Sequence, residues 1–220
     1  MKLALFDLDN TLLDRVGAVA RWAADFTAGH HLPPDAPDWL VAADGNGYVP
    51  RIEFFARVRT RYDLTEPVED LIADYELDYP THARNTPGIP EGLAALRAAG
   101  WRLAVVTNGP TATQEVKIER LGLADAVDAI CVSETVGVAK PDPKIFALAA
   151  ERAGAALTGG GWMIGDSPDH DIAGGAAVGL STIWISGGRT WPDDRPPPDR
   201  TCPDALAAIG ALLDGGGDPG

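Results

Sequence analysis

Residues 3–11 read LALFDLDNT and residues 102–109 read RLAVVTNG. Each is a short apolar run that stops abruptly at polar residues. Bounded in this way, such a run reads as a buried strand with its polar end at the edge of a sheet. The event recurs in AICVSE (129–134), GWMIGDS (161–167) and STIWISGG (181–188). Helical patterns lie between these runs. PEGLAALRAAG (90–100) has Pro90 in a first turn and Gly100 as a stop, and PKIFALAAERAG (143–154) runs from Pro143 to Gly154. TATQEVKIERL (111–121) carries Val116 and Leu121 at helical spacing. Strands alternating with helices of about 10–15 residues imply repeated βαβ units, an α/β fold with a parallel sheet. Ligands of such sheets bind at the carboxyl ends of the strands, so the polar strand ends are where chemistry is expected.

Residues 15–84 break this rhythm. They hold no apolar strand run, but carry ARWAADFTAGH, a loop with Pro33, Pro34 and Pro37, then PRIEFFARVRTRY and PVEDLIADYELDY. Arg51, Phe54, Phe55, Val58 and Tyr62 follow helical spacing. The expectation is about four helices inserted after the first strand and packed over the strand ends. A mere extension of the core is the weaker reading, since a βαβ crossover needs one helix. The domains expected are therefore residues 1–14 with 85–220, and residues 15–84. RTWPDDRPPPDR (189–200) reads as Pro-rich loop, residues 203–213 as a last short helix, and the glycine-rich end as frayed.

The composition, 45% hydrophobic and 23% charged, belongs to a globular protein. The net charge of −14 repels phosphate backbones and anionic lipid, so no nucleic-acid or membrane partner is expected. No stretch approaches the roughly 18 apolar residues of a membrane span. Residues 1–14 have their apolar run broken by acids, unlike the h-region of a secretory signal. With only two cysteines there is no disulfide framework, and a cytoplasmic location is expected.

Four strand ends carry candidate chemistry. Asp7 and Asp9 stand two residues apart where the chain turns. One carboxylate suits attack on phosphorus and the other suits moving a proton, yet alone the pair reads equally well as a solvated acidic turn. Thr107-Asn108-Gly109 places a hydroxyl and backbone N–H groups before a helix, which suits a phosphate oxygen; by itself it is also a common Asn-Gly turn. Lys140, pinned before Pro141, suits offsetting a nucleophile's and a phosphoryl group's charge, although most lysines are simply exposed. Asp166, with Ser167, Asp169 and Asp171 behind it, suits either Mg²⁺ or a helix N-cap. The four together argue more than any one. Carboxylates converging at one sheet edge repel one another, and a divalent cation with Lys140 relieves that repulsion.

At this point the sequence resembles the haloacid dehalogenase superfamily, in the branch with a helical cap after the first motif. FDLDNTL, VVTNG, VGVAKPDPKIF and IGDSPDHDIAGG look like its four motifs in the family's order. The resemblance implies a Rossmann-like three-layer core with residues 15–84 as the cap. It also implies a Mg²⁺-dependent phosphomonoester hydrolase acting on a small phosphorylated metabolite through an aspartyl-phosphate. Asp7 would be the nucleophile and Asp9 the general acid/base. Thr107 and the Asn108 region would bind the phosphoryl oxygens, and Lys140 would steady the charge. Asp7, the Asp9 backbone carbonyl and Asp166 would hold Mg²⁺, with Asp171 behind them or linked through water. Asp169 falls where the family pattern is free. Dehalogenases of the family lack the second aspartate, so Asp9 favours phosphoryl chemistry. Residues 106–150 and 163–179 look closest to house-cleaning nucleotidases and acylneuraminate phosphatases.

Two other functions compete. A sugar phosphomutase needs a second phosphate site in the insert, where Arg51, Arg57, Arg59 and Arg61 are available but acids outnumber bases. A non-catalytic interaction protein is disfavoured by the retention of Asp7, Asp9, Lys140 and Asp166. Tyr48, in the Gly45-Asn46-Gly47 loop, is expected to reach the substrate. His30 and His31 read as exposed residues on a helix, and the oligomeric state has no signature.

Overall fold

The structure, a computed structural model, describes residues 2–215; the glycine-rich end expected to fray falls almost wholly outside them. The chain divides into two compact units, one running to Leu13 and resuming at Asn85, the other Asp14–Arg84.

The first unit is built on six parallel strands in the order β3-β2-β1-β4-β5-β6. They are β1 (Lys2–Phe6), β2 (Trp101–Thr107), β3 (Ala129–Val132), β4 (Trp162–Gly165), β5 (Ser181–Ile185) and β6 (Arg200–Cys202). β1 lies at the centre, with Phe6 opposite Val105 of β2 and Ile164 of β4. The strands read as continuous apolar runs because both faces are covered. Leu3, Leu5, Ala104, Val106 and Met163 point to one face, where Ile145, Phe146, Ala149 and Ala150 bury them. The sixth strand was not expected. β6 follows the segment read as loop, and its three residues are too few to show any periodicity; they are held by register with Ile183–Ile185 of β5.

In chain order the helices of the second unit are α1 (Arg15–Gly29), α2 (Ala36–Asp44), α3 (Arg51–Tyr62) and α4 (Val68–Asp78). Asp14 caps α1 by accepting from the Gly17 N–H at 2.8 Å. Phe54, Phe55 and Val58 of α3 are fully buried, packed with Trp22 of α1 and Leu71 and Tyr75 of α4. Asp44 organises the polar part of this unit. It takes two hydrogen bonds from Arg15, at 2.6 and 2.9 Å, one from Arg51 at 2.6 Å and one from the Gly47 N–H. Burial disfavours its charge, but Arg15 and then Arg51 outweigh burial and hold its carboxyl below the usual range. His30 and His31 are not helical: α1 ends at Gly29, and His31 has a φ of 53°.

The first unit's helices are α5 (Ile89–Ala98), α6 (Thr111–Arg120), α7 (Leu123–Ala126), α8 (Ser133–Val136), α9 (Pro143–Arg152), α10 (Gly174–Ala177) and α11 (Ala205–Asp214). α9 supplies the residues that cover the first face. α5 packs on β2, and α11 packs on β5 and on α5. Asp142 and Asp204 cap α9 and α11 through the N–H groups of Lys144 and Ala207. A wide π-type turn, Pro168–Ala173, leads into α10; Ser167 caps it by accepting from the His170 N–H.

Candidate active site

β1, β2 and β4 are neighbours at the middle of the sheet, and the chain passes from β1 to β2 on one side but from β4 to β5 on the other. This is the switch point of an open α/β sheet, where the strand ends open a crevice. Asp7 follows β1, Thr107 ends β2 and Asp166 follows β4. The Asp7 N–H still donates to Ile164 O at 2.9 Å, so Asp7 is fixed by the sheet. Immediately beyond it the chain turns through Asn10, whose φ of 58° is left-handed.

The Lys140 ammonium joins two of the carboxylates. Its Nζ donates to Asp7 Oδ1 at 2.7 Å and to Asp171 Oδ1 at 2.7 Å, and all three side chains are buried. Thr11 Oγ1 donates to the other Asp7 oxygen at 3.1 Å, and the Ser167 N–H to Asp171 Oδ2 at 2.9 Å. Asp171 approaches this closely because position 165 is glycine. A Cβ there would run into the Asp171 carboxyl group.

Asp166 completes the group: one carboxylate oxygen from each of Asp7, Asp166 and Asp171 lies within 4.8 Å of the others. Burial pushes Asp7 well above the usual carboxylate range against the pull of Lys140, and Asp171 and Asp166 add to the push. Burial, then repulsion by Asp171, pushes Asp166 up to about 6. For Lys140 burial favours the neutral amine, but Asp171 and Asp7 outweigh it and hold its pKa above the usual lysine value. Three buried carboxylates crowded in this way carry more negative charge than Lys140 neutralises. An all-oxygen donor set with that surplus fits a hard divalent cation such as Mg²⁺.

A second network lies on the β2 side. Thr107 Oγ1 accepts from Gln114 Nε2 at 2.5 Å, and the same nitrogen reaches Asp9 Oδ2 at 3.1 Å. Lys117 Nζ donates to both Asp9 oxygens, at 2.9 and 3.0 Å, and to Gln114 Oε1 at 2.8 Å. Asn108 is engaged differently from expectation: its side chain grips the Lys140 backbone through two 2.9 Å bonds. Its amide therefore serves the placing of Lys140, and the neighbouring Gly109 N–H donates to Ser133 Oγ at 3.0 Å.

The structure thus gathers Asp7, Asp9, Thr107, Asn108, Lys140, Asp166 and Asp171 at one sheet edge. Tyr48 belongs to the helical unit and is 53% exposed. Asp169 points outward and pairs with Arg195. Three participants had no place in the sequence reading. Arg189, within the Pro-rich loop, donates to Asp166 Oδ2 at 3.1 Å and to the Asp166 and Ile185 carbonyls. Gln114 and Lys117 share the buried face of α6 with Thr113 and Ile118, whereas Val116 is only half-buried. Their three-residue spacing on the helix that follows Thr107 was the available signal, masked because Gln and Lys usually mark a solvated face.

The family model for haloacid dehalogenase-like hydrolases matches residues 1–179. A glyceraldehyde 3-phosphate phosphatase of Pyrococcus abyssi is 32% identical over 205 residues, covering 86% of this chain and 83% of its own. A pyrimidine 5'-nucleotidase, YjjG of Escherichia coli, is 43% identical over 100 residues, but that match spans 46% of this chain and 44% of the nucleotidase. Among solved structures, YfnB of Bacillus subtilis, a HAD-hydrolase bound to magnesium, superimposes with a TM-score of 0.77. It is 23% identical, over 97% of this chain and 98% of that one, and shows likeness of fold.

Proposed function

The chain belongs to the haloacid dehalogenase-like hydrolases and is a phosphatase-type enzyme of that family, and on this premise we propose a Mg²⁺-dependent phosphomonoesterase that works through an aspartyl-phosphate on Asp7. The observation that carries the reading is the Lys140 ammonium, buried and bonded to Asp7 and Asp171. An ammonium has three N–H groups. Two are used here, and the third is available to a phosphoryl oxygen.

The residues divide the work as follows. An Asp7 carboxylate oxygen forms a bond to phosphorus while the bond from phosphorus to the substrate oxygen breaks. Asp9, once it has taken up a proton, gives it to that leaving oxygen. Asp9 then takes a proton from water, whose oxygen attacks phosphorus and releases phosphate from Asp7. Thr107 and Lys140 hold the phosphoryl oxygens throughout both steps. Asp7, Asp166 and the Asp9 backbone carbonyl would hold Mg²⁺, with Asp171 behind them through Lys140. When bound, the cation neutralises phosphoryl charge as a Lewis acid.

The second aspartate separates this reading from dehalogenation, because a halide departs without a proton and an alkoxide does not. The two relatives are named for action on glyceraldehyde 3-phosphate and on pyrimidine 5'-nucleotides, and they support a small phosphorylated metabolite as the substrate class. The test is a panel of nucleoside monophosphates, sugar phosphates and phosphoglycolate. Phosphate release that needs Mg²⁺ and is lost in Asp7→Asn supports the reading; release that persists in Asp7→Asn or in EDTA overturns it.

A further inference from the structure

Lys117 is 2% exposed and Gln114 1%, yet both project from a helix otherwise placed to expose such side chains. Sinking an ammonium and an amide together costs free energy unless each finds partners. The partners they find are Asp9 and Thr107.

The bonds fix one another's direction. An ammonium only donates, so the Gln114 atom 2.8 Å from Lys117 Nζ must be the amide oxygen. The amide nitrogen then faces Thr107 and Asp9, and it too only donates. Thr107 Oγ1 is thereby made an acceptor on this side, so its own hydrogen points away from Gln114. Asp9, held at both oxygens by Lys117 and at one by Gln114, has few rotamers left. One lysine, three residues from its glutamine, thus sets both the aim of a hydroxyl and the pose of a carboxyl.

We propose that Lys117, through Gln114, is a positioning residue that holds Asp9 for proton transfer and turns the Thr107 hydroxyl toward the phosphoryl group. This rests on the phosphomonoesterase reading above. Both residues lie buried behind Asp9 and Thr107 and act through them. The alternative is a buried lysine that merely stabilises the core, and the two roles predict different kinetics. Asp9 matters to the first step only when the leaving oxygen needs a proton. The value of kcat/KM reports transfer up to formation of the aspartyl-phosphate, before its hydrolysis.

The experiment compares kcat/KM for an alkyl phosphomonoester and for 2,4-dinitrophenyl phosphate, whose phenolate leaves unaided, in the Mg²⁺-loaded full chain. Lys117→Met is expected to lose about 100-fold on the alkyl ester, the scale of a mispositioned general acid. On the activated ester the loss is expected to be at least tenfold smaller. Lys117→Arg, which still donates to Asp9, keeps the alkyl-to-aryl ratio near that of the wild type. Equal losses on both esters, or no loss on either, overturn the proposal and leave the phosphatase reading intact. A wild type inert toward both esters overturns that reading and this proposal with it. If Lys117→Met does not fold, Gln114→Met decides, since it must shift the same ratio in the same direction.

Discussion

Asn108 and Lys140 grip each other through paired hydrogen bonds: the Asn108 amide donates to Lys140 O, and the Lys140 N–H donates to Asn108 Oδ1, each at 2.9 Å. The pair ties the end of β2 to the loop that carries the ammonium, 32 residues away. Asn108→Ala removes both bonds and leaves the backbone of Lys140 free to drift. Displacement of a catalytic group by about 1 Å costs on the order of 100-fold. The expected result is a kcat lowered by about 10- to 100-fold, with KM changed less. A kcat within twofold of the wild type would contradict the clamp.

Lys140 itself stands between two carboxylates that repel each other across it. Lys140→Met is expected to lower turnover by about 100- to 1,000-fold, the scale of losing one preorganised donor. Lys140→Arg is expected to rescue little, because the planar guanidinium does not fit a site built around a point charge.

The surplus negative charge of Asp7, Asp166 and Asp171 makes metal binding visible in stability. A ligand of the folded state alone adds about 2.7 kcal/mol at 100 times its Kd. Adding Mg²⁺ is expected to raise the Tm of the wild type, and Asp166→Asn to abolish most of that rise. Melting curves unmoved by Mg²⁺ would remove the metal from the account. Arg189→Leu, which takes a competing cation off Asp166, is expected to tighten Mg²⁺ binding in the same titration.

In the helical unit, Asp44 is the acceptor for both Arg15 and Arg51. Asp44→Asn leaves the buried Arg15 guanidinium without its counter-charge, at an expected cost of about 3–5 kcal/mol in urea unfolding. Asp44 binds its proton less readily when folded than when unfolded. Its contribution is therefore complete above about pH 4, the ordinary value of an aspartate, and is lost as the pH falls through the lower folded value. Asp44→Asn should flatten the acid limb of the stability curve; an unchanged limb would assign the loss to other groups.

The sheet was legible because burial on both faces writes each strand as an unbroken apolar run, ended by the residue that meets solvent. Asp7, Thr107 and Asp166 stand at such ends, so position alone singles them out. β6 was illegible for the complementary reason: three residues, Arg200-Thr201-Cys202, owe their conformation to the neighbouring strand. Gln114 and Lys117 were missed because pattern reading assigns polar residues to solvent. Behind that face of α6 lie Asp9 and Thr107, which give the two polar side chains their partners. Arg189 lay in a segment whose prolines announce a loop and say nothing about which carboxylate the loop will reach.

The central claim is a phosphoryl group carried by Asp7. Quenching the enzyme during turnover of a phosphomonoester and reducing with borohydride converts an aspartyl-phosphate to homoserine, which mass spectrometry locates in the peptide of residues 3–15. Homoserine at position 7, absent without substrate and absent in Asp7→Ala, is the result predicted. Turnover with no modified residue, or with the modification at any position other than 7, would contradict it.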